Sequence, residues 1–307
     1  MKKIAVLLST YNGETYIRDQ IESILNQKCN IKFDVIVRDD GSKDQTVSIL
    51  KEYESEKKLR LIEGNNYGAA KSFLWLLKNV NGYDYYAFSD QDDIWYSNKI
   101  QEGINIIEKY VGPTLYFSNA YLVDEKNNSL GRVVHKKNPS FTKESILCIS
   151  TTAQGCTSII NSDLARFVQE KEIPNNIIMH DTYITSLCSL LNGNIVFDSS
   201  PYMDYRIHGN NDIGMPTKEQ LGIIGMLKLR LKDIFSQRSI SMSKQAKTIY
   251  DLYGQVFDED SKNICLLIMN AEHSFFSRLK LSVSKNLKYE SLSMCITYRI
   301  KILLGNN

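Results

Sequence analysis

Apolar and polar positions along the first 125 residues follow two periods. Short apolar runs have the length and continuity of buried strands, and they occupy residues 3–8, 33–38, 59–62, 83–88 and 114–123. The segments between them repeat apolar side chains every three or four positions, as helices do, at 14–27, 44–56, 69–79 and 98–110. Because strands that alternate with helices build parallel sheets, the pattern predicts an α/β fold with a mostly parallel, twisted sheet and flanking helices.

Polar clusters follow three of these strands directly. Residues 10–12 come after the first run, Asp39 and Asp40 after the second, and residues 90–93 after the fourth. Each cluster alone fits ordinary turn chemistry, since Asp, Asn, Gly and Ser favour turns. Ligands of such sheets bind outside the carboxyl ends of the strands. The coincidence of three clusters at these ends therefore predicts one shared crevice.

The acidic cluster at the fourth strand indicates metal chemistry. Asp90, Asp92 and Asp93 lie within four positions, and carboxylates this close disfavour one another's ionisation unless a cation neutralises them. A hard divalent ion with oxygen ligands is the natural neutraliser, and a phosphate is its natural second partner. A solvated acidic turn is the alternative. No GxGxxG follows the first strand and no GxxxxGK[ST] occurs, so a dinucleotide site and a P-loop are disfavoured.

Taken together, these motifs resemble a family 2 glycosyltransferase with a GT-A fold. The matching stretches, in order, are Leu8–Glu14, Val37–Thr46, Asn66–Gly68 and Phe88–Trp95. A second group resembles a rhamnosyltransferase-like branch that builds bacterial surface polysaccharides, and it consists of Gln154–Cys156, His180–Asp181 and Tyr205–Asn211. The resemblance ends near residue 212. It implies a GT-A catalytic domain with a nucleotide-sugar half at 1–125 and an acceptor half at 126–215, and the boundary at 215 follows from the shift in composition near Gly214–Pro216.

The resemblance implies a role for several individual residues. The residues it assigns to the nucleotide sugar are Thr10, Tyr11, Asn12, Glu14, Asp39, Asp40, Lys71, Asp90 and Gln91. In the pyrimidine pocket, the Asp39 carboxylate would accept the N3–H of uracil or thymine, which cytosine lacks. Lys71 is equally well explained as a solvated helix lysine. Asp92 would hold Mn²⁺ or Mg²⁺ against the diphosphate leaving group, and His208 would complete the metal shell or serve only as a loop histidine.

The predicted general base is Asp181. An inverting transferase needs one carboxylate to take the proton from the acceptor hydroxyl as it attacks the anomeric carbon. On position alone, Asp181 could also be an acid that stabilises the start of a helix. The residues placed on the acceptor side are Asp93, Trp95, Gln154, Gly155, His180 and Arg206.

The donor and acceptor follow from the resemblance as well. The second motif group favours dTDP-L-rhamnose as donor, whereas the first group fits a UDP-hexose or a UDP-N-acetylhexosamine equally. The expected acceptor is a saccharide, undecaprenyl-linked, in capsule, O-antigen or cell-wall synthesis. A scaffold protein that only binds nucleotide sugars is the alternative from another class. It would be expected to lack Asp92 or Asp181, and both are present.

Charge and hydropathy separate the last 90 residues from the rest. Residues 216–307 carry 14 Lys and Arg against 8 Asp and Glu, whereas residues 1–215 carry 23 against 27. Apolar and basic residues mix at 221–235, 277–288 and 298–304. This pattern predicts a helical C-terminal region that packs on the catalytic domain, lies on an anionic membrane surface, or forms a homodimer interface.

The remaining composition argues for a cytoplasmic enzyme, with peripheral contact on the inner face of the membrane as an option. No stretch of about 18 apolar residues exists to span a bilayer. Six scattered cysteines without a CxxC pair are expected to be reduced thiols. The balanced net charge of +2 gives no reason to expect a nucleic-acid partner.

Overall fold

A computed structural model describes residues 2–148, 153–208, 241–289 and 291–305. The strands in this part of the chain are β1 Lys3–Thr10, β2 Lys32–Asp39, β3 Arg60–Glu63, β4 Tyr85–Ser89, β5 Ile94–Trp95, β6 Thr114–Val123, β7 Ser129–Val133, β8 Ser158–Asn161 and β9 Asn194–Arg206. The helices are α1 Ile17–Leu25, α2 Thr46–Ser55, α3 Ala69–Asn79, α4 Lys99–Ile107, α5 Lys143–Cys148, α6 Ser162–Gln169, α7 His180–Leu190, α8 Met242–Tyr253, α9 Glu259–Ala271, α10 Phe275–Ser282 and α11 Leu292–Leu304.

The predicted α/β fold is confirmed, and its sheet is mixed rather than mostly parallel. Neighbouring strands run in the order β3-β2-β1-β4-β8-β6-β9-β5, and β7 pairs with β6. The three pairings among β1 to β4 are parallel, and so is the pairing of β6 with β9. Strand β8 inserts antiparallel between β4 and β6. The βαβ pattern of the first 89 residues therefore gives the parallel half, and the second half of the sheet is built differently.

Strand β1 lies at the centre of the parallel half and is buried on both faces. Ile4, Val6 and Leu8 point into one hydrophobic core, and Ala5 and Leu7 into the other. A continuous apolar run is what a strand covered by helices on both faces requires. The first core also contains side chains of α1, α2 and α4, and the second contains side chains of α3, α6 and α7.

The helices of the C-terminal region pack on the second core. Buried side chains of α8, α9, α10 and α11 belong to the same cluster as those of α3 and α7. The Tyr183 hydroxyl of α7 lies 2.9 Å from the Tyr253 hydroxyl of α8, and Lys143 on α5 forms an ion pair of 2.8 Å with Asp260 on α9. The described C-terminal helices are thus joined to the sheet domain. The basic segment 221–235 and the predicted boundary near 215 lie outside the described residues.

None of the described helices combines the length and the hydrophobicity needed to cross a bilayer.

Candidate active site

A cleft of about 440 Å³ opens at the carboxyl ends of the parallel strands. Its walls come from the loops that follow β1, β2 and β4, from the start of α3, and from the short 3₁₀ turn Gly155–Thr157 with the start of α7. The predicted site residues that line it are Thr10, Tyr11, Asp40, Asp90, Gln91, Asp92, Gln154, Gly155, His180 and Asp181. The predicted crevice therefore gathers residues from both halves of the domain.

Gln91 ties two walls of the cleft together. Its Oε1 accepts hydrogen bonds from Thr10 Oγ1 at 2.6 Å and from the Tyr11 backbone N–H at 2.9 Å. Its Nε2 donates to the Tyr11 carbonyl at 3.2 Å. A side chain at Gly13 would collide with Gln91, because a Cβ there would lie 2.3 Å from Oε1. The loops after β1 and β4 thus hold each other in place beneath the open cleft.

Of the two adjacent acids after β2, Asp40 borders the cleft and Asp39 does not. Both oxygens of the buried Asp39 carboxylate accept hydrogen bonds from within its own turn, from the backbone of Gly41 and from the backbone and hydroxyl of Ser42. The contact with the base that the resemblance gives to Asp39 therefore stays a prediction. Asp40 pairs with the buried Arg38 guanidinium, which neutralises its charge.

Three more residues predicted to bind the nucleotide hold loops instead. Asn12, at a φ of 48°, accepts the Lys43 backbone N–H through Oδ1 at 2.8 Å. Glu14 accepts the Gln45 backbone N–H at 2.8 Å. Lys71 Nζ donates to Asn175 Oδ1 at 2.8 Å. None of the three lines the described cleft, so their side chains fix its rim.

The Asp92 carboxylate and the His208 imidazole come together from 116 positions apart, with 2.7 Å between Oδ2 and Nε2. The Tyr16 ring stacks on the His208 ring with 5.2 Å between centroids. The Arg206 guanidinium lies 4.8 Å from the centre of the same Tyr16 ring. An oxygen and an imidazole nitrogen beside the cleft form a donor pair that Mn²⁺ accepts. The pair fits the predicted metal site.

Asp93 lies behind this pair rather than on the acceptor side. It is 1% exposed, and burial, followed by the charges of Asp92 and Asp90, raises its pKa well above the usual range. Single ligand atoms of Asp90, Asp93 and Cys156 lie within 4.8 Å of one another and could hold an ion. The ammonium group of Lys99 is buried close by, and its charge interacts with Asp93, which works against a cation there.

Lys99 is a feature that the sequence did not indicate. It is 1% exposed, its Nζ has no hydrogen-bond partner among the described residues, and it lies 4.8 Å from the centre of the Trp95 ring. Burial lowers its pKa to about 8. In sequence it looks like any lysine at the start of a helix, and only the fold brings it beneath the acidic loop.

Trp95 and Arg206 also lie inside the protein. Trp95 is 3% exposed and packs in the hydrophobic core that contains Ile100 and Met203. Arg206 is 3% exposed and donates through Nε to the Asp92 carbonyl at 2.8 Å and through Nη1 to the Glu125 carbonyl at 2.7 Å. The acceptor contact expected of these two side chains stays a prediction, and the observed role of Arg206 is to fix the backbone of the acidic loop.

Asp181 stands at the start of α7 and faces the cleft. Its Oδ2 accepts the Gly155 N–H at 3.1 Å, and its Oδ1 accepts the Thr182 N–H at 2.6 Å. Desolvation by the surrounding protein outweighs these bonds and raises its pKa from 3.8 to about 6. A carboxylate with a raised pKa, partly open to a cleft, suits proton abstraction near neutral pH.

His180 forms an aromatic wall next to this carboxylate. Its ring stacks on Phe73 with 4.1 Å between centroids and lies 5.3 Å from Phe88. Burial lowers its pKa to about 3, so the imidazole is neutral. Neither ring nitrogen has a hydrogen-bond partner among the described residues. Gln154, the remaining acceptor-side residue, contacts His135 Nε2 through Oε1 at 2.9 Å.

Several lining residues were not assigned a role from the sequence. They are Ser9, Asn66, Gly68, Ala69, Phe73, Cys156, Met179 and Tyr205. Five of them lie in the motif stretches Leu8–Glu14, Asn66–Gly68, Gln154–Cys156 and Tyr205–Asn211. Ala69, Phe73 and Met179 carry no such signal, because apolar residues in or next to a helix are indistinguishable from core positions.

Replacing Gly155 by Ala is expected to lower the free energy of unfolding by about 1–3 kcal/mol, the usual cost of overpacking, and to slow transfer. A Cβ there would lie 2.3 Å from His180 Nε2, and the imidazole is confined by Phe73. Urea titration gives the stability change. Gly254→Ala is the matched control, because its Cβ would meet only the Tyr250 ring at 3.3 Å. Equal stability and activity of Gly155→Ala and wild type would contradict the packing argument.

The overall fold matches that of solved glycosyltransferases. Staphylococcus aureus TarS residues 1–349 in complex with UDP-GlcNAc superpose with a TM-score of 0.56 at 16% sequence identity, covering 99% of this chain and 91% of that chain. The UDP complex of the same protein gives the same score and covers 90% of that chain. At this identity the likeness establishes the fold, which is GT-A.

Sequence comparison identifies the family. The model of glycosyl transferase family 2 matches residues 5–165. The dTDP-rhamnosyl transferase RfbG of Shigella flexneri is 31% identical over 220 residues, which are 67% of this chain and 73% of that protein. A glycosyltransferase of Rickettsia typhi is 24% identical over 98% of this chain and 86% of its own length. The chain belongs to glycosyl transferase family 2 and is a glycosyltransferase.

Proposed function

We propose that the protein is an inverting, metal-dependent transferase that moves L-rhamnose from dTDP-L-rhamnose onto a saccharide acceptor. The observation that carries the proposal is that one cleft is lined both by Asp92, which contacts His208, and by Asp181. Support for the rhamnosyl donor comes from the likeness to the dTDP-rhamnosyl transferase of Shigella flexneri. That likeness extends over 220 residues, or 67% of this chain.

The nucleotide would lie along the β1, β2 and β4 side of the cleft. Tyr11 is 41% exposed at the rim, where its ring can stack on a base. Asp40 borders the cleft on this side and would lie near the donor. Its carboxylate already accepts the Tyr67 and Gly68 N–H groups, so it is held rigidly for any contact with the donor.

A divalent ion, Mn²⁺ or Mg²⁺, would be held by Asp92 and His208 and would supply charge neutralisation for the departing diphosphate. Arg206 fixes the Asp92 backbone, and Tyr16 stacks on the imidazole, so both ligating side chains are held in position before the donor arrives. Such support of ligating groups typically increases affinity. Asp90, on the same loop, also lines the cleft and would lie near the ribose of the donor.

Asp181 would take the proton from the acceptor hydroxyl. Its two backbone hydrogen bonds fix the carboxylate, and its pKa of about 6 leaves it ionised at pH 7.5 while keeping it basic. The neutral His180 beside it adds no competing positive charge. Attack from the Asp181 side on the face opposite the diphosphate displaces the leaving group and inverts the anomeric carbon. The acceptor would be an undecaprenyl-linked saccharide at the cytoplasmic face of the membrane.

A different donor is the second candidate. TarS, whose fold this chain shares, has been solved with UDP-GlcNAc bound, and the donor-side motifs suit uracil as well as thymine. Calorimetric titration of dTDP-rhamnose, UDP-glucose, UDP-galactose and UDP-N-acetylglucosamine, each with Mn²⁺, Mg²⁺ or EDTA, separates the two. We expect metal-dependent binding of dTDP-rhamnose above the others. Preference for a UDP-sugar would overturn the rhamnosyl donor, and binding that EDTA leaves unchanged would overturn the metal.

A further inference from the structure

The last two helices turn rows of apolar side chains to solvent. On α10 and the residue that follows it, the exposed side chains are Phe275, Phe276, Leu279 and Val283, which fall on one side of a helix with 3.6 residues per turn. On α11 the exposed side chains are Leu292, Ile296, Ile300 and Leu304, spaced four apart along one face. Phe276 is 80% exposed and Leu292 79%. We call these two rows the apolar rows.

The apolar rows are not the product of loosely packed helices. The inner sides of the same helices are buried, with Leu281 of α10 and Ile302 of α11 each 2% exposed. Arg299 of α11 donates to the backbone carbonyls of Ser284 and Leu287 at 2.8 and 2.7 Å, and to that of Ser282 at the end of α10. The helices are therefore held to each other and to the core.

The apolar rows stand out from the rest of the surface. Among the described residues, 17 large apolar side chains are exposed, and eight of them lie between 275 and 304. Scattered single exposed residues need no explanation, but a concentration of this kind marks an interaction surface.

The charges near the apolar rows select the kind of partner. Of the six Lys and Arg at 273–305, Lys301 is buried and Arg299 is bonded to backbone carbonyls. Lys280, Lys285 and Lys288 are exposed in and next to α10. A second copy of the chain would bring the same lysines towards one another, whereas an anionic bilayer attracts them. Exposed apolar helix faces beside lysines are the features of a helix that lies in the headgroup region.

We propose that α10 and α11 dock the protein on an anionic lipid bilayer through the apolar rows and these lysines. The proposal rests on the proposed function, because a lipid-linked acceptor would present its saccharide at the membrane surface. The binding surface itself belongs only to the two helices. Membrane binding can therefore be tested without any acceptor.

Co-sedimentation of the full chain with vesicles tests the proposal. We expect binding to vesicles of phosphatidylcholine mixed with phosphatidylglycerol, little binding to phosphatidylcholine alone, and release as salt is raised, because salt screens the lysines. Phe276→Ser with Leu292→Ser, and separately Lys280→Glu with Lys288→Glu, are each expected to weaken binding by roughly 10-fold or more. The matched controls are Val111→Ser, at an exposed apolar site elsewhere, and Lys126→Glu, and both should bind like wild type.

Two further readouts keep the outcomes separate. Thermal unfolding and metal-dependent donor binding without vesicles should be the same in the Phe276→Ser, Leu292→Ser variant and in wild type, since these side chains lie on the surface. Wild type that binds donor but no anionic vesicle would overturn the docking proposal and leave the proposed function standing. A dimer in light scattering that this variant dissociates would overturn it in favour of a second copy.

Discussion

Asp181→Asn is expected to lower kcat by roughly two to four orders of magnitude, the usual contribution of a general base, and to leave donor affinity unchanged. The amide keeps the shape of the carboxylate and can still accept the Gly155 N–H, but it cannot take a proton. The nucleotide would contact other loops of the cleft, so binding of the donor does not need the charge at Asp181. Steady-state transfer and calorimetric donor binding measure the two effects separately.

The Asp181 carboxyl also predicts two pH effects. Activity should fall as pH drops through about 6, because the base becomes protonated at its pKa. The free energy of unfolding should change in the opposite direction. Because the pKa of Asp181 is higher in the folded protein than its ordinary value of 3.8, ionisation of this carboxyl opposes folding. This destabilisation disappears when the pH falls below about 4. The melting temperature of Asp181→Asn relative to wild type should therefore rise as pH increases from about 4 to 7.

The control for Asp181→Asn is Asp163→Asn, which removes another acid from the first turn of a helix, α6, away from the cleft. It should retain full activity. Transfer by Asp181→Asn at the wild-type rate would show that another group acts as base. A fall in donor affinity that accounts for the whole loss would instead make Asp181 a binding residue.

Asp92→Ala should remove the metal dependence of donor binding and lower kcat/KM by roughly 100-fold or more, since neutralising the leaving group is worth several kcal/mol. The carboxylate supplies the oxygen that faces His208 Nε2 at 2.7 Å. The measurement is donor affinity with Mn²⁺ and with EDTA. In wild type the two should differ strongly, and in Asp92→Ala they should agree.

Asp251→Ala is a suitable control for Asp92→Ala, because this acid lies on the surface of α8 and pairs only with Lys247 among the described residues. It should preserve the metal effect. His208→Ala should weaken metal dependence less than Asp92→Ala does, since the carboxylate carries the charge. An Asp92→Ala enzyme whose donor affinity still responds to EDTA would contradict the metal assignment.

The parallel half of the fold could be predicted because its signals are local. The bounds predicted for α3 and β6, 69–79 and 114–123, are those observed. The place of strand β8 in the sheet could not be predicted, since four residues with two isoleucines, Ser158–Asn161, do not tell a parallel strand from an antiparallel one. The bend in β9, whose pairing with β6 shifts register near Asn119, depends on contacts between distant segments.

The sequence predicted which loops form the site better than it predicted which side chains face the cleft. All three polar clusters reach the cleft, but the sequence could not tell which of Asp39 and Asp40 faces it, because a tight turn decides that. The burial of Lys99 and of Arg206 could not be predicted for a related reason. A charged residue with local polar neighbours looks solvated until the fold covers it.

The most direct test of the central claim is a crystal structure of the protein with dTDP-rhamnose, or a UDP-sugar if calorimetry prefers one, and Mn²⁺. Anomalous scattering recorded at the manganese edge would locate the ion. The account predicts an ion on the Asp92 carboxylate beside His208, the diphosphate against it, and the anomeric carbon open towards Asp181. An ion held elsewhere, or a sugar whose anomeric carbon faces away from Asp181, would contradict it.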